Sequence, residues 1–181
     1  MNSTHSPKLY FPALAALPAV QIIGFAILTA VAAQFRIPLP FTPVPITLQT
    51  LVVTLAGALI GWRKGALSQL LYLVWGGFGA PLFAGGAFGF AVFAGPTGGY
   101  LVGFVVGAMT AGLLTPAKPS YFTAWWTQLA ASLPILFFGW LHLTIFVGND
   151  PGTAFMLGVA PFILGDVLKV TASAGIVKAL K

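Results

Sequence analysis

No charged residue occurs between Lys64 and Lys118. A soluble domain carries roughly a quarter of its residues as Asp, Glu, Lys or Arg, because its outer surface must face water. A chain with so long an uncharged interval has no material for such a surface. Over the whole sequence 6% of residues are charged and 59% are hydrophobic. That is the composition of an integral membrane protein. The apolar runs are continuous, without the apolar/polar alternation of a membrane β-strand. The expected fold class is therefore an all-α membrane protein, one compact bundle with long external loops, forming a single domain over residues 1–181.

Crossing ~30 Å of hydrocarbon takes about 20 helical residues. Six stretches qualify, at about 14–33, 46–61, 65–80, 97–115, 122–147 and 161–180. The second and third are short, either shielded by neighbours or crossing only part of the bilayer. Pro161 suits the opening turn of the last helix, where its missing N–H costs nothing. Lys8 followed by Leu9–Leu17, with Ala13 and Ala15, loosely resembles a signal peptide. The apolar pattern continues past Pro18 to Ala33, as a first span does. With the N-terminus in the cytoplasm, Lys8, Arg63, Lys64, Lys118, Lys178 and Lys181 lie inside and only Arg36 outside, which satisfies the positive-inside rule. The expectation is a multi-pass protein of an inner or plasma membrane with both termini cytoplasmic.

The chain has only two acids. Asp150 falls in the external turn Gly148-Asn149-Asp150-Pro151-Gly152. Asp166 sits inside the last apolar segment, three residues before Lys169. A charge at the centre of a spanning helix costs about 2.5–3.5 kcal/mol on insertion scales, so such groups usually face a protein interior, a polar cavity or a ligand. At i,i+3 the two side chains share one helix face and can receive a small polar, anionic solute. An internal ion pair is the plainer alternative.

Other chemistries lack their parts. There is no cysteine, and His5 and His142 are too far apart in sequence to suggest a metal site. Neither a metal nor a cofactor is expected. The net charge of +6 is spread between spans, without the basic and aromatic stripe of a nucleic-acid binder. No G-x-x-x-x-G-K-[ST] phosphate loop occurs, so energy for uphill transport would come from elsewhere.

Two external loops stand out. Arg36 to Thr50 carries Pro38, Pro40, Pro43 and Pro45, which predict stiff, polyproline-like backbone. Gly76 to Tyr100 is long, uncharged and rich in Gly and Phe, as expected of a cap folded over the helix ends. Candidate cavity-lining groups are Thr47, Gln49 and Thr50, with capping by Thr47 as the alternative. Thr97 and Tyr100 in the Gly95–Tyr100 motif can reach a ligand or merely open a helix. Phe83, Phe88, Phe90 and Phe93 can cover a ring-bearing ligand or form an interfacial belt. The spacings Ala26-x-x-x-Ala30 and Gly103-x-x-x-Gly107 permit close helix packing. Ala26 and Ala30 are the candidate docking face for a partner, with internal packing as the alternative. His142 has no partner at helical spacing, and a satisfied buried histidine is the simpler reading.

Four of these motifs carry a resemblance: Pro43-Val-Pro-Ile-Thr-Leu-Gln-Thr50, Gly77-Phe-Gly-Ala-Pro-Leu-Phe-Ala84, Gly95-Pro-Thr-Gly-Gly-Tyr100 and Pro161-Phe-Ile-Leu-Gly-Asp-Val-Leu-Lys169. In this order and spacing they resemble the BioY family, the biotin-binding S components of energy-coupling-factor (ECF) transporters, over about residues 20–180. The resemblance implies six transmembrane helices and an outward-facing biotin pocket under the first and third external loops. It implies a transmembrane coupling subunit and two cytoplasmic ATPases as partners, with biotin as transported ligand and no enzyme activity of the chain's own. Its ligand contacts carry over to Asp166 and Lys169. Many relatives place an arginine in the stretch matched to Ala84–Phe90, where this chain has none, which leaves Lys169 alone, or Arg36 as well, for the carboxylate. An S component for another vitamin and an intramembrane enzyme using Asp166, Lys169 or His142 are the competing readings.

Overall fold

The structure, a computed structural model, describes residues 17–148 and 150–181. The stretch from Lys8 to Ala16, including most of the signal-peptide alternative, lies outside the described residues. Among the described residues, six helices of twelve residues or more occupy the six expected positions, with edges moved by a few residues. They are α1 (Pro18–Gln34), α2 (Gln49–Ile60), α3 (Trp62–Gly77), α5 (Gly98–Leu114), α6 (Tyr121–Phe146) and α8 (Ile163–Leu180). Two short helices, α4 (Ala91–Ala94) and α7 (Pro151–Gly158), were not expected. By length and composition α6 and the run Pro151–Leu180 are long enough to cross a bilayer. At 12 residues α2 rises only about 18 Å, short of the hydrocarbon thickness.

The helices are apolar nearly all round, because one face meets other helices and the opposite face meets lipid. Leu164, 74% exposed, Leu168, Ile145 and Phe122 all point outward. In water such a surface would drive aggregation. In lipid it costs nothing, and association then rests on close packing rather than on the hydrophobic effect.

That packing centres on α5, which lies against α2, α3 and α6. A Cβ on Gly57 of α2 would overlap the carbonyl oxygen of Ala108 in α5. The missing side chain is therefore what lets these two backbones touch. Gly103 and Gly107 play the same part toward α6, where they face Ile135 just past Pro134. Their small-residue spacing serves internal packing.

Ala26 and Ala30 require a correction. Ala26 is 0% and Ala30 8% exposed, on the face of α1 that enters the core beside Thr29. Thr29 donates to Gln69 Oε1 of α3 at 3.3 Å on the same side. These alanines are internal packing, not a docking face. The outward face of α1 carries Val20, Ile23, Ile27, Leu28 and Val31 instead.

The proline-rich loop also departs from expectation. It is not a polyproline run but a small antiparallel hairpin, β1 (Arg36–Ile37) on β2 (Ile46–Thr47), with Arg36 opposite Thr47. Its prolines fall between the strands, where no ladder N–H is needed. The tip is tied down by Thr42, whose hydroxyl donates to the Leu157 carbonyl of α7 at 2.7 Å. The segment after α3 folds back as a cap. Gly89 N donates to Gly76 O at 2.8 Å, and a 3₁₀ turn at Ala84–Gly86 follows the buried Phe83.

Asp150 caps α7 by accepting from Gly152 N at 3.0 Å and Thr153 N at 3.3 Å. The chain then bends at Val159 (φ −123°, ψ −57°) through a 3₁₀ turn, Ala160–Phe162, before α8 begins. Pro161 lies in this bend rather than inside α8. The bend turns Phe162 inward and leaves Asp166 in the first turn of α8.

Candidate functional site

Asp166 and Lys169 form an ion pair at 2.7 Å, with side chains 7% and 11% exposed. Lys169 Nζ also donates to Thr50 Oγ1 at 2.7 Å and to the Thr47 carbonyl at 3.3 Å. An ammonium has three donors, and these three acceptors use them all. Asp166 is different. Its Oδ1 meets Lys169, while its buried Oδ2 has no hydrogen-bond partner in the protein. A buried acceptor left unpaired costs about 1–3 kcal/mol, and more when charged. The pair thus presents one unspent acceptor and no unspent donor.

The start of α2 closes one side. Thr47 Oγ1 accepts from Gln49 N and donates to Gln49 Oε1, both at 3.3 Å. Thr47 therefore fixes the helix start and also lines the site. Gln49 Nε2 donates to the hydroxyl of Tyr72 at 2.7 Å, and Tyr72 in turn donates to Leu82 O at 3.4 Å. Sequence reasoning missed Tyr72. Ser68 and Gln69, four and three residues before it on the same helix face, were the available signal.

Phe83 lies beneath the cap, edge-on to Tyr72 (5.4 Å between ring centroids) and to Phe93 (5.8 Å). Tyr100 donates to Gly158 O at 2.6 Å, which fastens α5 to α7, and its side chain lines the cavity. Thr97 precedes α5 on the same rim.

All seven expected ligand-site residues, Asp166, Lys169, Thr47, Gln49, Phe83, Thr97 and Tyr100, line one cavity. It holds about 590 Å³ of empty space, counting its open mouth. Its lining is mostly apolar with a few placed polar groups, the pattern common to small-molecule pockets. Leu101, Phe104, Leu136 and Phe162 supply apolar wall. None of these four was singled out from sequence, because each looks like an ordinary lipid-facing or core residue. The Pro161 bend was the available signal for Phe162.

Three of the four aromatic candidates, Phe88, Phe90 and Phe93, do not line the cavity. Phe88 and Phe90 are exposed. Phe90 stacks on Phe93 at 6.1 Å and meets Phe78 edge-on at 5.3 Å, so it holds the cap together from outside. Phe93 in turn supports Phe83. His142 is also off the cavity, with Nε2 2.9 Å from the Gly95 carbonyl.

A family model, described as the BioY family, matches residues 5–181. The chain belongs to the BioY family. The match takes in every cavity-lining element. Among its BioY relatives is the probable biotin transporter of Pyrococcus horikoshii, 41% identical over 157 residues, covering 87% of this chain and 91% of that one. The biotin transporter BioY of Thermotoga maritima is 36% identical over 163 residues, covering 89% and 95%. A crystal structure of the S-component for biotin from an ECF-type ABC transporter superimposes with a TM-score of 0.81 at 26% identity, over 90% of this chain and 89% of that one. This BioY-family chain is a membrane protein, mostly helical, with the fold of an S-component.

Proposed function

We propose that this chain is the biotin-capturing membrane subunit of an ECF-type uptake transporter. The convergence of the seven site residues on one mostly apolar cavity, with Asp166 among them and its buried Oδ2 unpaired, carries the reading. Biotin has two ureido N–H donors, a ureido carbonyl, an apolar bicyclic body and a carboxylate tail. Asp166 Oδ2 accepts from the N–H edge. The Thr47 and Gln49 groups face the carbonyl. Phe104, Leu101 and Phe162 cover the ring body.

The chain forms one domain crossing the plasma membrane six times, with both termini in the cytoplasm and the cavity mouth outside. The hairpin and the Gly76–Tyr100 cap close over bound ligand. The sequence has no phosphate loop, so energy comes from a transmembrane coupling subunit and two ATPase subunits. The relatives' printed names and the S-component likeness support this assignment.

Purification in detergent, followed by calorimetric titration with biotin, tests it. Binding is expected for wild type and strongly weakened for Asp166→Asn. A thermal-shift panel with thiamine and riboflavin separates biotin from other vitamins, since a ligand bound only by the native state raises its stability. Stabilisation by either of those two and not by biotin would overturn the proposal.

A further inference from the structure

Among the described residues, the cavity lacks a free positive charge for an anionic tail. A biotin carboxylate is an anion, and the cavity lining is already neutral, because Asp166 and Lys169 cancel at 2.7 Å. Lys169 has no donor to offer, its three being held by Asp166, Thr50 and Thr47. A second cation is needed at the mouth.

Arg36 stands there. Its backbone lies opposite Thr47 in the hairpin, and Thr47 lines the cavity. Its side chain reaches across to the other loop. A Cβ on Gly85 would overlap the Arg36 guanidinium, and the preceding residue, Ala84, lines the cavity. Gly85 adopts φ +75°, which favours glycine and keeps the surface under the guanidinium flat. Arg36 also shares with Lys169 and Thr47 the groove on the outer side of the hairpin. The guanidinium therefore bridges the two covering loops at the rim.

No protein acid competes for it. The chain has two acids; Asp166 is paired with Lys169, and Asp150 is bonded to Gly152 and Thr153. The other described basic residues lie toward the opposite helix ends. Arg63 and Lys64 open α3, Lys118 precedes α6, and Lys178 and Lys181 end α8.

We infer that Arg36 is the carboxylate anchor of the site and sets its preference for an anionic tail. A guanidinium grips a carboxylate through two parallel N–H bonds. Because the same group rests on Gly85, engaging the tail also draws the hairpin and the cap together. This inference rests on the biotin reading above.

The test uses the full chain and two ligands, biotin and biotinamide, whose tail is neutral. Hydrogen bonds to charged groups are worth enough to give wild type about 10–100-fold preference for biotin. Arg36→Gln is expected to abolish that preference, and Arg36→Lys to retain part of it. Lys169→Gln is expected to weaken both ligands together and keep their ratio, because Lys169 acts through Asp166. Equal affinity of wild type for the two ligands overturns the Arg36 assignment and leaves the biotin reading standing. Preference retained in Arg36→Gln, or lost in Lys169→Gln, also overturns it. Binding of neither ligand by wild type overturns both.

Discussion

Gln49 Nε2 lies 2.7 Å from the Tyr72 hydroxyl, and this buried bond joins the wall of the cavity to its cover. Tyr72 passes the connection on to Leu82 O, one residue before Phe83. The state of the cap is thus coupled to the start of α2, where Thr47 and Lys169 meet.

Tyr72→Phe keeps the ring and its edge contact with Phe83 but leaves Gln49 Nε2 unpaired in a buried position. A loss of about 1–3 kcal/mol is expected. It should appear as a lower melting temperature and as faster ligand release, read by thermal denaturation and by surface-immobilised off-rates. An unchanged off-rate would disconnect Tyr72 from the cap.

The ion pair separates stability from binding. Asp166→Leu alone leaves Lys169 buried without its counter-charge, and removing one partner of a buried pair typically costs about 3–5 kcal/mol. Replacing both residues, Asp166→Leu with Lys169→Met, is expected to restore most of the stability, since apolar substitutes for a buried pair are often neutral. Ligand binding is expected to stay absent in the double variant. Calorimetry alongside thermal denaturation gives both readings, and binding by the double variant would refute the site.

Ala26→Leu inserts a large side chain at a position with no exposed surface. Overpacking a filled site costs about 1–3 kcal/mol. The expected result is a lower melting temperature of the isolated chain, without any partner present. A chain unaffected in isolation would return Ala26 to the docking face once expected of it.

Asp150 makes the start of α7 sensitive to acid. The Thr153 hydroxyl first, then the Thr153 and Gly152 amides, hold its carboxyl below the ordinary range. Because the folded value is the lower one, the cap's contribution is complete above the unfolded carboxyl value of about 3.9 and fades as pH falls through the folded value. Amide exchange at Gly152, Thr153 and Ala154 is expected to lose protection in that window. Asp150→Asn, itself a good cap, is expected to flatten the pH dependence.

Much of this molecule was legible in its one-dimensional pattern. The scarcity of charge required lipid contact, and apolar runs of helical length placed six helices to within a few residues. The lone intramembrane acid, three residues from a lysine, marked the site because burying charge is costly enough that few sequences do it without cause. The glycine and proline punctuation announced two covering loops.

Tertiary structure decided the rest, because the decisive properties are relations between segments. Whether Ala26 faces a partner or the core depends on what α3 places beside it, and small residues read the same in both cases. The prolines of the first loop forbid some backbone shapes but do not choose a hairpin; the Thr42 bond to α7 does, across 115 positions of chain. Phe83 and Phe88 are alike in composition and context, yet one is a wall of the cavity and the other an outer surface. Local sequence sets what each segment can be, while long-range packing selects which of its faces is spent on the ligand.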